Sequence, residues 1–182
     1  MRIVGGEFRG RTLAALGKGD AAAHLRPTTD RVRETLFNIL RGHDLPEGAR
    51  VLDLFAGTGA LGLEALSRGA DHATFVDDGA KAGQLLRRNV ETLGVTDRTR
   101  ILRRDARKLF AAQAPCDLIF LDPPYGRGMG AAALRSAEAG GWIAPDALIV
   151  WEEGAPQPVP DGFREVDRRG FGDTSMQFLR RA

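Results

Sequence analysis

The chain has 182 residues and a mass of 19.6 kDa; it is 43% hydrophobic, 27% charged and carries a net charge of +2. That is ordinary globular usage in the size range of one domain, and it excludes a disordered, collagenous or coiled-coil protein. The single cysteine, Cys116, rules out an internal disulfide, and His24, His43 and His72 lack the spacing of a metal site.

No apolar run approaches the ~20 residues of a membrane span. Met1 to Gly6 lacks the apolar stretch of a signal peptide. The expectation is a soluble, cytoplasmic protein with no metal. Residues 1–42 hold eight bases (Arg2, Arg9, Arg11, Lys18, Arg26, Arg31, Arg33, Arg41) against four acids (Glu7, Asp20, Asp30, Glu34), a net of +4. Of the 26 bases in the chain, 23 are arginine, whose planar fork pairs with phosphate and stacks on bases. A compositional bias toward Arg accounts for much of that total. The asymmetry is a separate signal, and it points to a polyanion partner.

In chain order, residues 2–13 read as a hairpin, with β-type positions at Ile3, Val4, Phe8, Thr12 and Leu13 and turns at Gly5, Gly6 and Gly10. Residues 14–24 carry no period and read as loop. Arg26-Pro27-Thr28-Thr29-Asp30 is a helix-start signal. Val32, Leu36, Phe37, Ile39 and Leu40 then give one apolar face to about residue 41. From residue 50 the pattern alternates. Strands are expected at 51–55, 72–76, 100–102, 118–121 and 147–151, and helices at about 60–68 and 80–93, stopped by Gly69 and Gly94. Runs near 163–169 and 175–180 read as an antiparallel pair. This order predicts an α/β, doubly wound, mostly parallel sheet. A C-terminal antiparallel strand pair and a small N-terminal β-hairpin/helix extension complete it.

The first strand runs into a loop with glycines at 57, 59 and 62, which let a strand turn tightly into a helix while a ligand approaches the backbone. As a bare G-x-G-x-x-G, with Asp77 twenty positions after Gly57, it also suits a nicotinamide or flavin site. Four acids fall at strand ends, Asp53, Asp77, Asp105 and Asp122. Such a row suits a cationic nucleoside better than an anionic pyrophosphate. S-adenosylmethionine, with its ammonium, sulfonium, ribose diol and adenine amine, has that chemistry.

Asp122-Pro123-Pro124-Tyr125 follows the fourth strand. Paired prolines end the ladder and stiffen the backbone at the sheet edge. There, a carboxylate and the Pro123 carbonyl can accept the two N–H groups of an aromatic amine, and Tyr125 can stack on its ring. Cys116 reads as a packed apolar thiol rather than a nucleophile.

Three segments together, Arg2-Ile3-Val4-Gly5-Gly6 through Gly10-Arg11, Arg26-Pro27-Thr28-Thr29-Asp30 through Asn38, and Asp53 through Ala65 with its glycine loop, resemble the RsmD family of class I S-adenosylmethionine-dependent methyltransferases. The resemblance implies a Rossmann-like fold. It also implies methylation of the exocyclic N2 of one guanine, conventionally numbered 966, in bacterial 16S ribosomal RNA.

It further implies that Asp53, Gly57 and Gly59 line the methionine end of the cofactor, Asp77 or its neighbour Asp78 the ribose, and Asp105 the adenine amino group, with Phe55, Ala56 and Ala106 also in the cofactor site. The family's residue at position 77 is often Glu. Asp122 to Tyr125 would hold the base, and Arg2, Arg9, Arg11, Arg26, Arg31 and Arg33 the RNA. The Arg26-Pro27-Thr28 segment would close over the cofactor or touch RNA. Residues 1–42 are expected to serve RNA contact and residues 43–182 catalysis, in a monomer acting on the small subunit or its assembly intermediate. A DNA adenine-N6 methyltransferase would use the same tetrapeptide, and a non-catalytic RNA-binding module would keep the same fold.

Overall fold

The computed structural model describes residues 1–17 and 28–182. Arg26, Pro27 and the expected loop beyond residue 17 lie outside them. The first helix, α1, spans Asp30–Arg41, and the Thr29 hydroxyl caps it by accepting from the Val32 amide at 3.2 Å. The sheet strands and their helices follow as β1 Arg50–Leu54, α2 Ala60–Ser67, β2 His72–Asp77, α3 Ala80–Leu93, β3 Thr99–Arg103 and β4 Cys116–Leu121. They are completed by α4 Met129–Ala139, β5 Ile143–Glu153, β6 Phe163–Phe171 and β7 Thr174–Arg181.

The seven strands lie in the order β3-β2-β1-β4-β5-β7-β6. The first five pair in parallel, and β7 pairs antiparallel with both β5 and β6. This is the doubly wound sheet with a C-terminal antiparallel pair that the alternation of elements predicts.

Successive residues of a strand point to opposite faces, and the core divides accordingly. Val51, Phe75, Leu118 and Phe120 face one apolar cluster, and Leu52, Val76, Ile119 and Leu121 face the other. Ile3, Leu13, Leu36, Phe37 and Leu40 belong to the first cluster, so the N-terminal segment shares its core with the sheet. Cys116 is buried in the second, where loss of solvent pushes its thiol up to about 12. That is the inert, packed thiol expected from the sequence.

Three expectations are corrected. The N-terminal hairpin has no strands. Arg2 and Thr12 form a single bridge, with the Ile3 amide donating to the Arg11 carbonyl and the Leu13 amide to the Met1 carbonyl. Helix α4, which the sequence reading lacked, connects β4 to β5. Strand β5 begins at Ile143 rather than Ala147, and pairing with β4 shifts register between Cys116 and Leu118. Pro145 and Asp146 lie in this early stretch, where proline cannot donate to the ladder.

Candidate active site

The parallel strands end on one edge, and the four acids stand along it. Pairing of Leu54 with Val76 and with Leu121 places Phe55, Asp77 and Asp122 in the next row across the sheet. A cavity of about 300 Å³ opens there, lined among others by Phe55, Asp77, Asp78, Asp105, Ala106 and Asp122.

The glycine loop is fixed by close packing. Gly59 has φ +87°, and a Cβ there would lie 2.4 Å from Leu86 Cδ1. At Gly62 a Cβ would stand 2.3 Å from Phe75 Cε1. The backbone therefore turns from β1 into α2 closely against Leu86 of α3 and Phe75 of β2, where side chains at these two positions would collide. Phe55, at φ +60°, takes the left-handed conformation directly after β1.

Asp53 is buried at 2% exposure, and its Oδ2 accepts from the Gly62 amide at 3.0 Å. Burial, with a smaller push from Asp77, raises its carboxyl to about 8. The proton is thus held more tightly in the folded chain than at the ordinary value of about 3.9. The stabilisation is present in full below that ordinary value and is lost as pH rises through about 8. Urea unfolding of the ligand-free protein should therefore show wild type losing stability relative to Asp53→Asn across that window. A difference that stays constant with pH would remove the buried proton from Asp53.

Asp77 ties two loops together, its Oδ2 accepting from the Gly57 amide at 2.9 Å and its Oδ1 from the Gly79 amide at 2.8 Å. Asp78 is exposed and lines the same cavity. Asp105 also lines it, but Arg107 forks onto both its oxygens at 3.0 and 2.8 Å and holds its carboxyl below the usual range.

Asp122 receives no hydrogen bond on its carboxylate from any donor among the described residues. Burial raises its carboxyl well above the usual range, and the charges of Glu152, Asp53 and Glu153 add to that. Pro123 is buried and Pro124 lines the cavity. Tyr125 is held at its hydroxyl, which donates to Glu152 Oε1 at 3.0 Å and meets Thr174 Oγ1 at 3.2 Å. Burial raises its pKa.

Glu152 and Glu153 were missed in the sequence. Both are buried at the end of β5. Glu152 Oε2 accepts from the Thr28 hydroxyl at 3.1 Å, and Glu153 Oε1 accepts from the Gly126 amide at 2.9 Å. Their signal was present, since the apolar run 147–151 ends in them as the runs before Asp77 and Asp122 end in acids; the pairing of Leu121 with Trp151 puts Asp122 and Glu152 in one row.

The N-terminal arginines behave differently from one another. Arg33, expected on RNA, is 1% exposed. It bonds Asp30 at 2.6 Å and the Arg2 carbonyl at 2.8 Å, and faces Glu64 at 3.5 Å, so it is part of the core. Arg2 pairs with Asp30 at 2.9 Å, and Arg11 donates to the Thr92 carbonyl at 2.7 Å. Arg9 and Arg31 are exposed, and Arg26 lies outside the described residues. No group of His, Cys, Asp and Glu among the described residues could hold a metal ion, and no described helix is long and apolar enough to cross a membrane.

A mostly parallel sheet with this strand order, a glycine turn after β1 and an Asp-Pro-Pro-Tyr after β4 together define a class I methyltransferase of Rossmann-like fold. The family model described as "Conserved hypothetical protein 95" matches residues 1–180. The chain belongs to this family, the RsmD family. It is 41% identical to "Ribosomal RNA small subunit methyltransferase D" of Escherichia coli K12, over 88% of this chain and 78% of that one. With the protein of the same name from Haemophilus influenzae it shares 36% identity, covering 97% and 92%. The solved structure of yhhF from Escherichia coli superposes with a TM-score of 0.85 at 38% identity, covering 100% of this chain and 97% of that one.

Proposed function

We propose that the chain methylates 16S ribosomal RNA of the small subunit on the exocyclic N2 of one guanine, the base conventionally numbered 966, with S-adenosylmethionine as methyl donor. The observation that carries this reading is Asp122, a carboxylate on the cavity wall with no donor among the described residues and the rigid Pro123-Pro124 beside it. The names of the relatives support ribosomal RNA as substrate and do not favour the DNA adenine-N6 alternative.

The cavity fits this cofactor by its donor set. Asp77, Asp78, Asp105 and Asp122 line it against Lys81 and Arg104, a net acidic wall that suits a cationic nucleoside with a ribose diol better than the pyrophosphate of a nicotinamide dinucleotide. When bound, the cofactor supplies an electrophilic methyl on a sulfonium.

The chain's own groups do the rest. Asp53, buried behind the cavity wall at the start of the glycine loop, acts on the ammonium end through its charge, and binding a cation there favours its ionised form. Asp77, already oriented by two amides, accepts from the ribose hydroxyls. Asp122 and the Pro123 carbonyl accept the two amine hydrogens and aim the lone pair, while Tyr125 fixes the plane of the base. The raised Asp122 carboxyl is suited to take the proton the amine gives up. Arg9 and Arg31 contact RNA from the N-terminal segment, residues 43–182 carry the chemistry, and the enzyme acts as a monomer in the cytoplasm, where small subunits assemble.

Asp77→Ala should weaken cofactor binding by roughly 10- to 100-fold, the scale of one or two charged hydrogen bonds, in a calorimetric titration. Unchanged affinity would hand the ribose to Asp78. The reaction is tested with radiolabelled S-adenosylmethionine on small subunits lacking this methyl group, with naked 16S RNA and duplex DNA in parallel. Label in N2-methylguanosine is expected; label in N6-methyladenine, or none, overturns the reading.

A further inference from the structure

We propose that the β3 edge of the sheet is a contact surface for single-stranded RNA, built by Arg100, Arg103, Arg104 and Lys108 around Phe110. This rests on the RNA-methylating reading above and says where the strand flanking the target base lies.

Thr99 to Phe110 contains Arg100, Arg103, Arg104, Arg107 and Lys108 against the single acid Asp105, a net of +4. Residues 1–42 reach the same net charge over more than three times the length. Arg107 occupies Asp105, which leaves the other four cations without a salt bridge among the described residues. Arg103, Arg104 and Lys108 are exposed and Arg100 is half-buried.

The patch also has an aromatic centre. Phe110 is 36% exposed, unusual for a large apolar side chain in this protein. The Arg104 and Arg100 guanidiniums lie 5.0 and 5.4 Å from its ring centroid. Its own position is fixed by Trp142, whose ring is 6.2 Å away and whose Nε1 donates to the Phe110 carbonyl at 2.8 Å. Arg104 Nε further donates to the Lys108 carbonyl. Two long side chains are thus held by one ring, so a phosphate strand that meets them costs less side-chain ordering.

Geometry connects the patch to the chemistry. Strand β3 is the sheet's outer strand on this side, and Arg103 pairs in register with Asp77. The same row continues through Phe55 to Asp122, three strand spacings away, or about 14 Å. Arg104 also lines the cavity. An RNA strand whose base enters at Asp122 can lay its neighbouring phosphates along these arginines. The charge is the right sign, and a flat aromatic among cations is the usual composition of single-strand binding surfaces.

The test uses Arg103→Ala combined with Lys108→Ala, two exposed side chains. Fluorescence anisotropy with a labelled oligouridylate of about 12 nucleotides, titrated across salt, reads the number of phosphates met. Each cation lost from a single strand lowers the salt slope by about 0.7, so the double variant should lower it by about 1.4. Arg103→Lys, which keeps the charge, should keep the slope. Phe110→Leu, which retains apolar contact with Trp142 but releases the two guanidiniums, should weaken binding several-fold. In methyl transfer to small subunits, the double variant should raise KM several-fold with kcat within about twofold and cofactor affinity unchanged.

An unaltered slope and KM overturn the proposal. A raised KM on subunits with an unaltered oligouridylate slope overturns it too, and assigns the surface to a ribosomal protein. If wild type transfers no methyl to subunits while the double variant still lowers the slope, the reaction assigned above fails and the RNA surface stands.

Discussion

Asp122→Ala lowers the rate of methyl transfer by ~10²–10⁴-fold in single-turnover kinetics at saturating cofactor and RNA, the range typical of losing a positioned acid–base group. Its neighbours along the sheet edge are engaged by the protein. Asp53 accepts from Gly62, Asp77 from Gly57 and Gly79, Asp105 from Arg107, and Glu152 from Tyr125 and Thr28. Asp122 and the exposed Asp78 have carboxylates free of any donor among the described residues on the cavity wall, and only Asp122 sits where burial and three nearby carboxyls raise its proton affinity. An aromatic amine is a poor nucleophile until its hydrogens are held and one can leave. Asp122→Asn keeps an acceptor but cannot take the proton, so its rate should fall between wild type and alanine. An alanine variant within about threefold of wild type would remove Asp122 from the reaction.

The strands bearing these acids were legible because buried parallel strands are short apolar runs, and here each ends abruptly. Val51 to Leu54, His72 to Val76 and Leu118 to Leu121 are each followed by Gly, Asp or Pro within a few residues. Helix α4 was not legible, for a packing reason. Its sequence is rich in Ala and Gly, and a Cβ at Gly130 would stand 2.5 Å from Trp151 Nε1. A helix that packs through small residues has no broad apolar stripe to announce it. The N-terminal segment failed as strands because its glycines serve a close approach to α2. The Glu7 amide donates to the Ser67 carbonyl at 2.7 Å, and the Ser67 hydroxyl donates to the Gly5 carbonyl at 2.6 Å.

Among the site residues, the limits were set by partners distant in sequence. Nothing local reveals that Tyr125 answers to Glu152 and Thr174, or that Thr28 reaches Glu152 across 124 positions. Charge counting was a coarse guide as well. It weighed residues 1–42 as a block and passed over the denser run at Thr99 to Phe110. Arg33 is the clearest instance. It lies three, four and seven residues before Leu36, Phe37 and Leu40, on their helix face. The period therefore placed it inward, while its charge suggested the surface.

Besides Asp30, Arg33 faces Glu64, and Glu64→Ala should cost ~3–5 kcal/mol of folding stability, a large share of the 5–15 kcal/mol typical of a domain. Glu64 is 0% exposed in α2. It accepts from the Val4 amide at 2.8 Å and the Gly5 amide at 3.1 Å, and faces Arg33 and Arg68 at 3.5 Å each. Truncation leaves two backbone donors without this acceptor and a fully buried guanidinium with Asp30 as its remaining carboxylate. The pair is therefore costly to break even though burying it whole need not stabilise the fold. Because Glu64 binds Val4 and Gly5 while Arg33 binds the Arg2 carbonyl, the loss should reach the N-terminal segment first. Hydrogen exchange at Ile3, Gly10 and Leu13 should accelerate more than at the central strand β1, and urea unfolding should shift to lower midpoint. A variant within about 1 kcal/mol of wild type would show that the segment is held by its apolar contacts, Ile3 and Leu13, and not by this carboxylate.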